Sequence, residues 1–235
     1  MTIPSGYSLV WSDEFDSSSL DMSKWEQRVG SSSNISVANS KLRLTANPIG
    51  DFNNGSVYIT VKDIPSFQYG YFECSAANSI AQGVASAFWL LDPGTGNDEI
   101  DIYERPGNYG SYQNRVICSL LGGCPIGEIC SNFNGNDTFP QIASGFHKYA
   151  LLWTASSLRF YLDDVEIWNA DSKASGFSIP LELKLDICAD GCKFQGQVEP
   201  SGSGSTYSEW EYVRVYQIGG GGGICGQPVC DLSIR

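Results

Sequence analysis

Apolar and polar positions alternate with a period of two along most of the chain, and a sustained helical period is almost absent. The alternation comes in short bursts rich in Val, Ile, Tyr, Phe and Trp, separated by Gly, Ser, Asn, Asp or Pro. Residues 41–46, 55–61, 70–76, 85–91, 99–104, 115–120, 146–153, 158–162, 165–168, 181–187 and 210–217 each predict a β-strand on this basis. In SLRFYLDDVEIWNA, Leu158, Phe160 and Leu162 alternate with Arg159 and Tyr161, Asp163-Asp164 supplies a turn, and Val165 and Ile167 continue. That is a hairpin with one buried face. Many short strands and no internal repeat predict an all-β fold, an antiparallel sandwich or barrel. One large domain is expected over residues 1–218. Residues 219–235 open with five consecutive glycines and read as a linker and a short cysteine-containing tail.

Composition removes several classes of function. Apolar residues make up 42%, enough for a core, and charged residues only 17%, too few for a disordered chain. Fourteen basic against 26 acidic residues give a net charge of −12, the wrong sign for a nucleic-acid partner. No apolar run approaches the roughly 18 residues of a membrane span, and the start lacks the pattern of a signal peptide. Any export signal is therefore expected to have been removed. The 8 cysteines point to an oxidising compartment and hence to secretion. Cys188 and Cys192, and Cys225 and Cys230, flank short loops, and Cys118, Cys124 and Cys130 fall six apart. These spacings suit local disulfides better than zinc, which favours C-x2-C pairs, and His147 is the chain's one histidine. Sequons at Asn34, Asn54 and Asn136 are compatible with secretion.

The candidate chemistry lies in NDEIDIYERP, residues 97–106. On a strand Glu99 and Asp101 share one face while Ile100 and Ile102 share the other. Glu104 falls out of phase unless a β-bulge at Ile102 or Tyr103 adds one residue and returns it to the side of the other acids. An acid-rich strand is ordinarily a solvated face. Three acids at close quarters, however, repel one another and raise the pKa of at least one. Such a split suits glycoside hydrolysis, in which one carboxylate attacks the anomeric carbon and a second, kept protonated, assists the leaving group. A third carboxyl between them orients the nucleophile by a hydrogen bond.

This segment resembles the bulged signature E-[ILV]-D-[IV]-x-E of glycoside hydrolase family 16. The resemblance continues in order through VWSDEFDSSSLDMSKW (10–25), YGYFECSA (69–76), ASAFWLLDP (85–93), FHKYALLWTASSLRFYLDD (146–164) and WEYVRVYQ (210–217). It implies a β-jelly-roll sandwich of two curved antiparallel sheets with a concave cleft. By position, Glu99 matches the nucleophile, Glu104 the general acid/base, Asp101 the helper between them, and Trp89 a tryptophan that faces sugar. Asn34, Arg105, Tyr109 and Asp186 are further candidates for reaching a glycan, and His147 reads as structural. No cofactor is needed for catalysis. Many relatives bind a structural calcium on the convex face, for which Glu14 and Glu211 are candidate ligands.

The resemblance further implies retaining hydrolysis of internal β-linkages in a polysaccharide by a secreted monomer. Residues 90–98 read LLDPGTGND, with neither a tryptophan nor a proline at the positions where laminarinase-like relatives carry W-P-x-x-G before the nucleophile. They look more like the corresponding run of agarases, and the net charge of −12 favours a neutral galactan over a densely sulfated one. Agarose or porphyran is therefore the expected substrate, with laminarin as the alternative, and a transglycosylase or a non-catalytic lectin beyond those. The stretch NRVICSLLGGC lacks the histidine that agarases and laminarinases often carry there.

Overall fold

A computed structural model describes residues 3–62, 66–107, 115–122, 144–189 and 204–219. Among these residues fourteen strands run in chain order: β1 (Tyr7–Asp13), β2 (Trp25–Val29), β3 (Ile35–Val37), β4 (Leu42–Ala46), β5 (Val57–Val61), β6 (Gly70–Ala77), β7 (Ala85–Leu91), β8 (Glu99–Pro106), β9 (Ile117–Leu121), β10 (Phe146–Trp153), β11 (Leu158–Leu162), β12 (Val165–Asn169), β13 (Glu182–Cys188) and β14 (Thr206–Ile218). They form two antiparallel sheets. The eight-stranded sheet follows the order β12-β11-β10-β6-β14-β4-β3, with β1 also paired to β14, and the six-stranded sheet follows β2-β5-β13-β7-β8-β9. The expected jelly-roll sandwich is thus the observed architecture.

Alternation explains why the sheets pack face to face. Phe72, Cys74 and Ala76 of β6 and Leu151 and Trp153 of β10 meet Phe88 and Leu90 of β7, Ile100 and Ile102 of β8, and Leu183, Leu185 and Ile187 of β13 in one buried core. Tyr103 of β8 stacks on Tyr149 of β10 with ring centroids 3.9 Å apart, which ties the catalytic-candidate strand to the opposite sheet. Trp153 is fully buried, and its indole N–H donates to the Phe177 carbonyl at 3.1 Å. Trp153→Ala is expected to cost about 3–5 kcal/mol, because it opens a cavity and orphans that carbonyl. Urea unfolding of the variant checks this.

The Asp163-Asp164 turn is as expected, and both residues take left-handed backbone angles, φ 47° and 69°. Those angles usually call for glycine or asparagine. Here Asp163 is anchored, its Oδ1 accepting the Lys148 backbone N–H at 2.9 Å and its Oδ2 lying 2.7 Å from His147 Nδ1. Gly107 ends β8 where a side chain has no room: a Cβ there would sit 1.9 Å from the Ala81 carbonyl oxygen.

The cysteine expectation needs correction. Cys118 is a buried free thiol whose S–H donates to the Ile102 carbonyl at 3.2 Å, and Cys74 is likewise free and buried. Cys118 alternates inward on β9, so its sulfur joins the core. Cys188 is buried at the end of β13, and its expected partner Cys192 lies outside the described residues, as do Cys124, Cys130, Cys225, Cys230 and residues 220–235. Among the described residues no helix is long and apolar enough to cross a membrane.

Candidate active site

Strand β8 departs from regular pairing on both edges at one place. Toward β7, Phe88 pairs with Tyr103 and Trp89 with Asp101, which leaves Ile102 over. Toward β9, Asp101 pairs with Ser119 and Glu104 with Ile117, so Ile102 and Tyr103 together oppose Cys118. Both extra side chains turn into the core, and Glu104 returns to the face of Glu99 and Asp101. The three carboxyls then line one cleft open to solvent.

Neighbouring strands build the rest of that cleft from their own outward positions. Strand β7 supplies Ala85, Ala87 and Trp89, β13 supplies Asp186, and β5 supplies Tyr58. The two alanines leave the floor open, and the half-buried Trp89 ring stands as a wall with Tyr58 edge-on to it, centroids 6.4 Å apart. Trp89 Nε1–H donates to Asp186 Oδ2 at 2.7 Å. Lys184, one strand position pair from Asp186, pairs with Glu182 Oε2 at 2.9 Å and lies 5.7 Å from the Trp89 ring centroid.

The electrostatics separate the acids. Desolvation pushes Glu104 up to about 8, assisted by the charge of Glu99 and opposed by the Ser119 hydroxyl, which donates to Oε2 at 3.1 Å. Asp101 is pushed well above the carboxylate range by burial and by the charges of Glu104 and Glu99, so it keeps its proton and donates it in a hydrogen bond to Glu99. Burial also raises Glu99, but that hydrogen bond and the Lys184 charge oppose the rise. The arrangement thus favours an ionised Glu99 beside a protonated Glu104.

Holding Glu104 protonated costs stability. Its folded-state pKa lies above the unfolded value, so the penalty grows as pH climbs from the ordinary carboxylate range to about 8 and is constant above. Glu104→Gln is therefore expected to raise Tm over the parent protein at pH 8 and much less at pH 5, by roughly 2–4 °C per kcal/mol relieved. Thermal melts at the two pH values check this.

Two residues expected to reach a glycan fall elsewhere. Arg105 is buried on the core side of β8, because it follows Glu104 and points the opposite way. It donates to the Tyr149 hydroxyl, which also accepts from Asn78 Nδ2 at 3.2 Å, so it braces the sheets rather than touching a glycan. Asn34 is buried, and its amide donates to the Asn47 and Asn54 carbonyls at 3.0 and 3.3 Å. It ties loops together and is hidden from a glycan in the cleft. Glu14 is held by both Arg214 Nε and a terminal nitrogen, at 2.9 and 2.7 Å, and Glu211 accepts from Ser75 at 2.7 Å. Among the described residues no three His, Cys, Asp or Glu side chains cluster as they would to hold a metal ion, and the Glu14 and Glu211 carboxylates are engaged by Arg214 and Ser75. Tyr109 lies outside the described residues.

Tyr58, Ser119 and Lys184 were not anticipated. The signal for two of them is plain: in VYITV and ELKLDIC, polar residues alternate with aliphatics just as in the acidic strand. Tyr58, Lys184 and Asp186 therefore face the same way as the acids of β8.

Comparison with known proteins agrees with this geometry. The sequence profile of the family described as Glycosyl hydrolases family 16 matches residues 22–187. An Endo-1,3-1,4-beta-glycanase, EglC, of Rhizobium meliloti (strain 1021) is 30% identical over 208 residues, covering 82% of this chain and 41% of the relative. A Beta-glucanase of Rhodothermus marinus is 28% identical over 254 residues, covering 90% of this chain and 85% of the relative. The chain spans about two fifths of the length of the first curated relatives it matches. Among solved structures, SCLam, a non-specific endo-beta-1,3(4)-glucanase, superposes with a TM-score of 0.72 at 23% identity, covering 93% of this chain and 94% of that one.

Proposed function

Because the chain belongs to glycosyl hydrolases family 16, we propose that it is a retaining endo-β-glycanase acting on a β-1,3- or mixed-linkage β-1,3-1,4-glucan. The observation that carries the proposal is the bulge at Ile102 and Tyr103, which brings Glu99, Asp101 and Glu104 to one cleft. The glucan is favoured by the relatives, among them an endo-1,3-1,4-beta-glycanase, a glucan endo-1,3-beta-glucosidase and a beta-glucanase. This reverses the order expected from the sequence, where a galactan came first.

In the first step a Glu99 oxygen attacks the anomeric carbon, the glycosidic C–O bond breaks, and Glu104 gives its proton to the departing oxygen. Asp101 holds Glu99 in line through its hydrogen bond. In the second step Glu104, now ionised, takes a proton from water, whose oxygen displaces Glu99 from the sugar. Two inversions return the original β configuration. Trp89 packs its ring against the C–H face of a sugar. Secretion and a Cys188–Cys192 disulfide complete the proposal, and intact mass before and after reduction tests the latter.

Release of reducing ends from laminarin, mixed-linkage β-glucan, agarose and porphyran tests the substrate. We expect release from the glucans, abolished in Glu99→Gln. Release from agarose or porphyran alone supports a second reading as a galactanase, which rests on the laminarinase-unlike run LLDPGTGND before Glu99. On the favoured substrate kcat/KM should fall as pH rises through about 8, where Glu104 loses its proton.

A further inference from the structure

A fourth carboxyl enters the cleft without a part in the two steps above. Asp186 is buried, and one of its oxygens is taken by the Trp89 indole N–H at 2.7 Å. The strand register places it further. Asp186 pairs with Ala87 and Ala87 pairs with Glu104, so Asp186 and Glu104 share one row across three strands. Their backbones stand two strand spacings apart, roughly 9–10 Å, with only the Ala87 methyl between them. Lys184, Trp89 and Asp101 form the next row, so the indole wall rises beside that methyl floor. Burial and the charges of Glu104 and Glu99 push Asp186 well above the carboxylate range, against the pull of the Trp89 hydrogen bond and of Lys184. A neutral carboxyl offers one acceptor oxygen and one hydroxyl donor, and the indole occupies only the acceptor.

We propose that Asp186 is a positioning and sugar-recognising residue of the hydrolysis proposed above, on which this inference rests. Its Oδ2 fixes the Trp89 indole as the wall of a subsite, and its other oxygen meets a hydroxyl of the sugar lying over Ala87, opposite Glu104. Two hydrogen bonds of opposite sense make asparagine the closest replacement, since a carboxamide both accepts from the indole and donates to a hydroxyl. Leucine fills similar volume and does neither.

Kinetics on laminarin and mixed-linkage glucan, and the indole N–H resonance of Trp89 assigned with Trp89→Phe, test this in Asp186→Asn and Asp186→Leu. Asp186→Asn should keep KM within about threefold and leave the indole resonance nearly in place. Asp186→Leu should raise KM about tenfold or more with a smaller fall in kcat, and move the indole resonance upfield as its hydrogen bond is lost. If the leucine variant does not fold, Asp186→Ala takes its place with the same expectations. Asp186→Leu or Asp186→Ala with the parent KM and an unmoved indole resonance overturns the proposal, as does a folded Asp186→Asn with the KM defect of Asp186→Leu. Should the parent protein cleave none of the glycans, the functional reading fails by itself, while the indole resonance still decides whether Asp186 holds Trp89.

Discussion

Glu99→Ala is expected to lower kcat on β-glucan by roughly 10⁴-fold or more while leaving the fold intact. Glu99 is half-buried at the start of β8, where its carboxylate receives the Asp101 hydrogen bond and feels the Lys184 charge. No other described carboxyl in the cleft combines that ionised character with a place beside a protonated partner. Removing it leaves the acid but nothing to form the covalent intermediate. The shortened side chain also leaves space for a small anion. Azide added to Glu99→Ala should restore partial turnover of an aryl β-glycoside and yield an α-glycosyl azide, because a single displacement inverts the centre. Product analysis by NMR checks both the loss and the rescue. Unchanged turnover in Glu99→Ala would remove Glu99 from the reaction.

The second large effect is expected at Glu104. Glutamine keeps the Ser119 hydrogen bond in reach but has no proton to give, so kcat on a natural glucan should drop about 10²–10⁴-fold. An aryl glycoside with an acidic phenol needs no proton to depart, so its glycosylation step should be largely spared. The contrast between the two substrates is what distinguishes a lost acid from a damaged site. The alkaline limb near pH 8 should also vanish from the residual activity, since the group responsible is gone. Equal losses on both substrates would assign Glu104 a structural part instead.

Much of this was legible in the alternation. The hairpin of β11 and β12, the acidic strand and the paired β7 all lie where the period of two places them. The bulge was inferred from phase alone: Glu104 cannot share a face with Glu99 and Asp101 without one extra residue. That same inference should have excluded Arg105, because the residue after Glu104 must point into the core, where it meets Tyr149. The error lay in reading Arg105 by its charge rather than by its position. Alternation does not mark the strands β1, β2 and β3, whose polar content is high and which end after three to seven residues. They are held by partners distant in sequence, β1 by β14 and β2 by β5. Such pairing is a tertiary effect that local pattern does not carry. Asn34 is buried for a related reason: its partners, the Asn47 and Asn54 carbonyls, are set by loop geometry. Asp186 and Trp89, by contrast, were anticipated near the acids and do share their cleft.

If the kinked strand β8 aims Glu99 and Glu104 at one glycosidic centre, cleavage proceeds by double displacement with retention. Proton NMR of the anomeric signals during the first minutes of β-glucan hydrolysis tests it most directly, before mutarotation mixes the anomers. Newly formed reducing ends should appear first as the β anomer. First appearance of the α anomer would contradict it.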